Sequence, residues 1–305
     1  MTNPMEVQIG SMIMKNPVTV ASGTFGYGPE YAELVDLNRL GAITVKGIAP
    51  QPHIGNQTPR TYETRGGMLN AIGLPGPGAQ GFIDSYMPFL KNYQTPVIVN
   101  IWGKTIEDYG VVTEQLDQEE GIDAYEINLS CPNIKEGGSA FGTEVASFQQ
   151  VIELVRSKTK KPIIPKLAPN VAQIAPFVQA AEDAGADALA IMNSYPAMAI
   201  DIRTRKPTLA NKSGGLSGPA IKPIAIKLVW DAYQVTQLPI IGMGGIFEPE
   251  DAIEFMMAGA RAVAVGTANF VDPSTSIRVI EGIESFMQSD GIASLDELVG
   301  ASHRL

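Results

Sequence analysis

Eight short apolar segments, rich in β-branched residues, recur along this chain of 305 residues and constrain its fold more than any other feature. Nearly continuous apolar segments of this kind are typical of strands buried on both faces, as in a parallel sheet. The predicted strands are VTVASG (18–23), AITVKGI (42–48), PVIVNIWG (96–103), AYEINLSCP (124–132), PIIPKLAP (162–169), ALAIMNS (188–194), LPIIGMGGI (238–246) and AVAVGTAN (262–269).

Helical periodicity occupies the stretches between these predicted strands. One face of a helix over residues 147–159 carries Phe148, Val151, Ile152 and Val155. Residues 174–186 and 250–260 also predict helices, with Gly185 and Gly259 placed as C-caps. Eight strands alternating with helices in this length predict an α/β fold, a closed (β/α)8 (TIM) barrel.

No linker, repeat or low-complexity segment divides the chain, so we expect a single domain over residues 1–305. A doubly wound open sheet is the rival architecture, and it would normally carry a Gly-rich dinucleotide-binding turn after its first strand. The segment VASGTFGYG at 20–28 has glycines without the G-x-G-x-x-G spacing. The closed barrel is therefore the preferred interpretation.

Composition narrows the classes of function. A hydrophobic content of 45% provides enough apolar material for a large core, and the formal net charge of −10 argues against a nucleic-acid partner. The single cysteine, Cys131, excludes an internal disulfide and an iron–sulfur cluster held by this chain alone. Without an apolar stretch of roughly 18 residues or a basic leader, we expect a cytoplasmic protein with no membrane contact.

Three segments after predicted strands are rich in Gly, Pro and polar residues. Residues 49–80 and 195–222 are expected to form long loops at the end of the barrel where active sites are built. Residues 132–142, which follow the fourth strand, are predicted to act as a lid.

Polar residues fall near the C-terminal ends of the predicted strands. A single buried lysine or asparagine has a plain structural explanation, because a barrel interior can hold it beside a hydrogen-bonding partner. Several at one end favour a binding site, and their amides and cations suit a flavin ring or a small planar acid. These residues are Lys46, Asn100, Asn128, Cys131, Lys166 and Asn193.

Glycines follow the seventh and eighth predicted strands, in GMGGI (242–246) and VGTA (265–268). Glycine clusters on their own often only form turns. Loops at these two places in a barrel commonly bind phosphate through backbone N–H groups, which favours a phosphate monoester such as that of FMN. The residues concerned are Gly244, Gly245, Gly266 and Thr267.

Cys131 lies in Asn-Leu-Ser-Cys-Pro-Asn at the end of the fourth predicted strand. A free cysteine is most often a small buried hydrophobe. Its position beside predicted site lysines also suits a thiolate that acts as a base or a nucleophile. The two histidines, His53 and His303, are expected to face solvent, so we expect neither a Cys–His pair nor a metal site.

Five motifs together resemble the class 1 dihydroorotate dehydrogenases, which are FMN-containing (β/α)8 barrels of pyrimidine biosynthesis. They are LNAIGLP (69–75), NLSCPN (128–133), GGLSG (214–218), GMGGI (242–246) and VGTA (265–268), and the resemblance runs nearly from end to end. Within the class, the chain is similar to the catalytic subunit of the NAD⁺-linked subclass 1B in ASGTFGYG (21–28), GLPGPG (73–78) and IDIRTRKPTLANKSGGLSG (200–218).

The resemblance implies oxidation of (S)-dihydroorotate to orotate, with the proton taken by Cys131 and the hydride by FMN. It also implies a separate electron-transfer subunit that carries FAD and a 2Fe–2S cluster, with NAD⁺ as the final acceptor. A dimer of catalytic subunits within a heterotetramer is the implied assembly. Lys46 would neutralise charge between flavin and substrate, and Lys166 would stabilise the reduced flavin.

The family pattern further implies two sets of contacts. Cofactor contacts would fall on Ser22, Lys46, Gly47, Asn100, Asn128, Lys166, Met192, Gly218, Gly244, Gly245, Gly266 and Thr267. Substrate contacts would fall on Lys46, Asn70, Ala71, Ile72, Gly73, Leu74, Asn128, Asn193 and Ser194. Met192 departs from the isoleucine common in the family, a change that a backbone contact would tolerate.

Other classes of function stay open at this point. The FMN barrel of dihydropyrimidine dehydrogenases takes a substrate without a carboxylate, and the class 1A dihydroorotate dehydrogenases pass electrons to fumarate. A tRNA-dihydrouridine synthase would carry a basic face, in contrast to the acidic charge of this chain. A non-catalytic barrel that serves only in assembly would give no reason for polar residues to gather at one end.

Overall fold

The structure is a computed structural model that describes residues 3–129 and 141–304. Its β-strands are β1 (Val7–Ile9), β2 (Met12–Met14), β3 (Val18–Val20), β4 (Ile43–Ile48), β5 (Thr61–Thr64), β6 (Gly67–Asn70), β7 (Val97–Ile101), β8 (Ala124–Asn128), β9 (Ile163–Lys166), β10 (Leu189–Ile191), β11 (Tyr195–Ala197), β12 (Ile200–Asp201), β13 (Lys206–Pro207), β14 (Gly214–Ser217), β15 (Ile240–Met243) and β16 (Ala262–Val265). Its α-helices are α1 (Ser22–Phe25), α2 (Gly78–Ser85), α3 (Met87–Leu90), α4 (Ile106–Asp117), α5 (Val145–Lys158), α6 (Ala175–Asp183), α7 (Lys222–Tyr233), α8 (Pro249–Met257), α9 (Ala268–Val271), α10 (Thr275–Ser289) and α11 (Leu295–Leu298).

The central element is an eight-stranded parallel sheet in the order β3-β16-β15-β10-β9-β8-β7-β4. Its two outer strands meet, because the N–H of Gly41 donates to the carbonyl of Val18 at 2.9 Å. The Thr19 hydroxyl also donates to the carbonyl of Ala42 at 2.9 Å. The sheet therefore nearly closes into a (β/α)8 barrel, and all eight predicted strands are confirmed.

The burial of these elements follows the sequence pattern. Every residue of β7 and β8 is buried, as expected for strands covered by helices on one side and by the barrel interior on the other. In α5, the four buried residues are the predicted stripe of Phe148, Val151, Ile152 and Val155. Gly185 and Gly259 have φ angles of +83° and +122° just beyond α6 and α8, so both predicted C-caps are confirmed.

The two segments expected to be long loops are more ordered than predicted. Residues 49–80 and 195–222 contribute a four-stranded antiparallel sheet in the order β11-β14-β6-β5, and β12 pairs with β13. The expectation of loops is wrong because these strands are only two to four residues long and include glycines. Strands this short contain too few residues to show the alternation of apolar and polar residues that predicts a strand.

A hairpin of β1 and β2 covers the opposite, amino-terminal end of the barrel. Its turn residue, Gly10, packs against Pro162 and Asp187, which lie one and two residues before β9 and β10, respectively. The inward side chains are fully or almost fully buried, and they are Val7, Ile9, Met12 and Met14. Within residues 3–129 and 141–304, no helix has both the length and the apolarity needed to cross a bilayer.

Candidate active site

A cavity of ≈ 730 Å³ lies at the carboxyl ends of the barrel strands. Its wall includes residues in or just after seven of the eight barrel strands, all but β7, and residues of β5, β6 and β14 from the antiparallel sheet. The volume falls within the range of about 300–1,000 Å³ that is usual for small-molecule and cofactor sites. The carboxyl end is also where barrel enzymes place their chemistry.

The structure brings most of the predicted site residues together around this cavity. Those that line it are Ser22, Lys46, Asn70, Ile72, Gly73, Leu74, Asn128, Lys166, Met192, Asn193, Ser194, Gly218, Gly244, Gly245, Gly266 and Thr267. They come from sequence positions as far apart as 22 and 267, which the parallel register of the strands places at one end. The predicted base, Cys131, and most of the predicted lid at 132–142 lie outside the described residues.

Three predicted site residues stand behind the cavity wall. Asn100 is fully buried in β7. A Cβ on Gly47 would lie 2.8 Å from Asn100 Oδ1 and 3.0 Å from Trp102 Cδ1, so glycine there allows close packing of side chains from β7 and from the residue that follows it. Ala71 is buried in a small second core with Leu69 and Leu209.

A buried polar network connects the barrel interior to the cavity. Lys166 Nζ lies 3.3 Å from Glu126 Oε1, and the two side chains are only 6% and 4% exposed. The same carboxylate oxygen accepts a hydrogen bond from Asn100 Nδ2 at 2.5 Å. Asn128 Nδ2 then donates to Asn100 Oδ1 at 3.4 Å, and Asn193 Nδ2 donates to Asn128 Oδ1 at 3.4 Å.

Glu126 was missed by the sequence reasoning. The available signal was an acidic residue at the centre of the apolar strand AYEIN, because a carboxylate is almost never buried in a core without a partner. Glu30, which also lines the cavity, was missed because it follows a glycine-rich turn rather than a strand. Its carboxylate accepts a hydrogen bond from the Tyr27 N–H at 3.0 Å.

Lys46 is one of the cavity-lining residues whose pKa is shifted by burial. Desolvation by burial lowers the pKa of its amine, the negative charge of Glu30 opposes this shift, and the positive charge of Arg60 adds to it. An anionic group bound in the cavity would compensate for the lost hydration of the Lys46 ammonium. The site is therefore suited to an acidic ligand.

A cradle of glycines lies where the sequence predicted a phosphate site. Gly244 and Gly245 have φ angles of +122° and +84°, which residues with a side chain rarely adopt. A Cβ on Gly245 would lie 2.7 Å from the Lys222 Cβ and 3.0 Å from the Gly218 carbonyl oxygen. Glycine therefore allows the loop to pack closely against Gly218 and Lys222 while it lines the cavity, and glycine loops of this kind commonly bind phosphate through their backbone N–H groups.

The opposite side of the cradle is held by hydroxyl groups. Thr267 Oγ1 donates to Ser217 Oγ at 2.8 Å, and Ser217 Oγ donates to the Met68 carbonyl at 3.3 Å. These bonds connect the segment after β16 to β14 and β6 of the antiparallel sheet. The cradle thus joins the barrel to the segments that were expected to be loops.

Neither histidine faces solvent in the way that the sequence analysis expected. The His53 ring packs edge-on against Trp102 with centroids 5.2 Å apart. The His303 ring stacks on Trp230 at 3.6 Å, and its Nε2 lies 3.0 Å from the Ala258 carbonyl oxygen. The expectation is wrong because both rings are partly covered by aromatic neighbours, although neither histidine lines the cavity.

The fold and the site define a (β/α)8-barrel protein with a cavity of ligand-binding size at the carboxyl ends of its strands. Residues 5–287 match the family model described as dihydroorotate dehydrogenase. The chain belongs to the dihydroorotate dehydrogenase family.

Curated relatives resemble the chain along nearly its whole length. A protein of Desulforamulus reducens is 52% identical over 299 residues, which is 98% of each chain. One of Geotalea uraniireducens is 50% identical over 97% of each chain, and one of Lachnoclostridium phytofermentans is 52% identical over 96% of this chain and 98% of its own. All three are named dihydroorotate dehydrogenase B (NAD⁺), catalytic subunit. The resemblance inferred from the motifs is therefore confirmed.

Proposed function

We propose that the chain is the catalytic subunit of an NAD⁺-linked dihydroorotate dehydrogenase, which oxidises (S)-dihydroorotate to orotate in the biosynthesis of UMP. The observation that carries the proposal is a single cavity that joins a glycine cradle to lysine and asparagine side chains. A flavin phosphate and a small planar acid need these two kinds of surroundings side by side. The family membership and the names of the relatives agree with this assignment.

The cradle and the neighbouring strand ends fit FMN. Gly244, Gly245 and Gly266 line the cavity after β15 and β16, where backbone N–H groups of glycine loops commonly bind a phosphate such as that of FMN. Bound FMN would supply the hydride acceptor of the oxidation. The proposed cofactor contacts are Ser22, Lys46, Gly47, Asn100, Asn128, Lys166, Met192, Gly218, Gly244, Gly245, Gly266 and Thr267, with Gly47 and Asn100 acting from behind the cavity wall.

Amide groups and a cation would hold the substrate. Asn70, Asn128 and Asn193 line the cavity and provide donors and acceptors for a carboxylate and an imide. Lys46 would place its positive charge beside the substrate anion. The proposed substrate contacts are Lys46, Asn70, Ala71, Ile72, Gly73, Leu74, Asn128, Asn193 and Ser194, with Ala71 acting from the second core.

Cys131 is the proposed base, and its Sγ would take the proton from C5 of dihydroorotate. It follows the cavity residue Asn128 by three positions in the sequence. The strand end before it is held in place, because the Tyr109 hydroxyl donates to the Asn128 carbonyl at 2.9 Å. Fixing a base within reach of its proton contributes to the rate through orientation.

The name "catalytic subunit" carried by the relatives supports a second polypeptide. We propose that this electron-transfer subunit carries FAD and a 2Fe–2S cluster, passes electrons to NAD⁺, and joins a dimer of catalytic subunits in a heterotetramer. The one cysteine of this chain cannot ligate such a cluster alone. Residues 1–305 would act as one FMN-binding catalytic domain.

The proposal is tested by adding dihydroorotate to the purified chain under anaerobic conditions and recording the visible spectrum. We expect a yellow protein that is bleached by dihydroorotate and stays oxidised with dihydrouracil, which lacks the carboxylate. Bleaching by dihydrouracil alone would assign the barrel to dihydropyrimidine oxidation instead. Reoxidation by fumarate without a partner subunit would place the enzyme in class 1A.

A further inference from the structure

We propose that Glu126 is a positioning residue of the active site, which fixes the direction of a chain of amides and balances the charge of Lys166. The inference deepens the proposed function and rests on it. Glu126 does not line the cavity, so it would act through the residues that do. It is one of the few charged side chains buried in the part of the chain that the structure describes.

The register of the strands places Glu126 among polar neighbours. Glu126 pairs with Asn100 across β7 and β8, and Asn128 pairs with Lys166 across β8 and β9. Glu126 and Asn128 are two residues apart on β8, so their side chains point to the same face. A buried carboxylate costs several kcal/mol in an apolar setting, and here a cation and an amide donor compensate that cost.

The carboxylate dictates the orientation of three amides. An ionised carboxylate can only accept hydrogen bonds, so the Nδ2 group of Asn100 must face it. The Oδ1 of Asn100 then faces Asn128 and accepts from its Nδ2. As a result, Asn128 Oδ1 is left to accept from Asn193 Nδ2.

At the far end of this series of amides, the last hydrogen bond fixes the orientation of Asn193 in the same way. Asn193 Oδ1 accepts a hydrogen bond from the Ser194 N–H at 2.8 Å. Each amide therefore has one defined orientation, although amide oxygen and nitrogen are otherwise interchangeable in shape. Asn128 and Asn193 line the cavity, so Glu126 determines which polar groups they present to a ligand.

The Glu126 carboxylate also neutralises the positive charge of Lys166. Lys166 lines the cavity while its Nζ lies 3.3 Å from Glu126 Oε1, so the pair contributes little net charge to the bound flavin. Removing the negative partner alone would leave a positive charge in the barrel interior. That charge would favour the negative charge which a flavin gains on reduction.

The test is the midpoint potential of bound FMN in the holoprotein, measured by dye-equilibrated reductive titration. Glu126→Gln keeps the shape of the side chain and is expected to raise the affinity for reduced over oxidised FMN at least tenfold, or about 30 mV upward for a two-electron couple. Lys166→Met is expected to lower this ratio. A potential that is unchanged or falls in Glu126→Gln would overturn the proposal.

A matched control separates this effect from a general loss of packing. Glu182 on α6 accepts a hydrogen bond from Thr236 Oγ1 at 3.0 Å and does not line the cavity. Glu182→Gln should leave the potential and the orotate dissociation constant unchanged. Glu126→Gln should weaken orotate binding at least fivefold through the disturbed amides, and equal effects of the two substitutions would contradict a positioning role.

A second measurement does not require FMN. In urea unfolding of the flavin-free chain, Glu126→Gln and Lys166→Met should each lower the midpoint, and the double variant should lower it by less than the sum. If the decreases in the urea midpoint are additive, Glu126 and Lys166 do not stabilise each other and the pairing is overturned. This comparison also applies when the single variants have low stability. If wild-type protein binds FMN but is not bleached by dihydroorotate, the proposed function fails, while the potentials and the unfolding cycle still decide the role of Glu126.

Discussion

The two ends of the barrel are built with opposite chemistry. The amino-terminal end is covered by the β1–β2 hairpin, whose Val7, Ile9 and Met14 are completely buried. Beneath the cavity at the carboxyl end, the buried side chains include Glu126 and Lys166. The first arrangement needs no specific partners, whereas the second is stable only while each polar group is hydrogen-bonded or paired.

The two ends therefore differ in how far their stability depends on specific hydrogen bonds and ion pairs. Apolar side chains of similar volume in place of a buried ion pair are often neutral or stabilising. Stability alone therefore does not explain why an ion pair and three linked amides lie beneath the cavity. Substitutions at the two ends should separate into those that change chemistry and those that change stability.

The largest effect is expected at Cys131. Cys131→Ser should lower turnover by about 10²–10⁴-fold at neutral pH, because a hydroxyl is a far poorer base than a thiolate. FMN content and the orotate dissociation constant should be retained, as measured by the visible spectrum and its shift with orotate. Full turnover in this variant would remove Cys131 from the mechanism.

At the amino-terminal end, Ile9→Ala should lower the free energy of unfolding by about 2–5 kcal/mol, because it leaves a cavity beneath the hairpin. Turnover per bound FMN should stay unchanged below the unfolding transition. Ile54, which is 91% exposed, provides the control of the same residue type. Ile54→Ala should change stability by less than about 0.5 kcal/mol in denaturant titrations.

Gly245→Ala would alter the cradle. The φ angle of +84° and the nearby Lys222 Cβ should cost about 1–3 kcal/mol in strain and weaken FMN binding at least tenfold. Gly291 also has a positive φ, of +68°, but nothing lies within 4 Å of the position that an added Cβ would take. If Gly291→Ala loses as much FMN as Gly245→Ala in a binding titration, the cradle is not the phosphate site.

The smallest effect concerns the pH dependence of ligand binding. Burial lowers the pKa of Lys46 below its usual 10.5, so the ammonium loses its proton at a lower pH than a free lysine does. Orotate affinity should therefore be constant near neutral pH and decline as pH rises through this lowered value, by up to about tenfold, or 1.4 kcal/mol. A decline of the same size in Lys46→Met would assign it to another group.

The sequence predicted the barrel well because its strands are buried on both faces and leave an uninterrupted apolar signal. The polar residues at their ends were equally visible, since Lys46, Asn128 and Lys166 interrupt that signal. Strand order then brings them to one cavity without any further information from the sequence. Fold and much of the candidate site thus followed from the same pattern.

The parts that were missed depend on tertiary contacts. The antiparallel strands β6 and β14 are four residues each and pair across more than 140 positions, so no local pattern marks them. The partner of Glu126 became apparent only when the register of β7, β8 and β9 was known. The β1–β2 hairpin is an exception, because it was missed although it carries a local signal, the two-residue turn Gly10-Ser11 between two short apolar segments.

The central claim is that ligands bind at the carboxyl end of the barrel and not at the amino-terminal end. It is tested most directly by hydrogen–deuterium exchange of the flavin-free chain with and without added FMN and orotate. Protection should increase in peptides that contain Gly244, Gly245 and Thr267 at the carboxyl end. Peptides of the β1–β2 hairpin should exchange at the same rate in both states. Protection confined to the hairpin, or equal at both ends, would contradict a ligand site at the carboxyl ends of the strands.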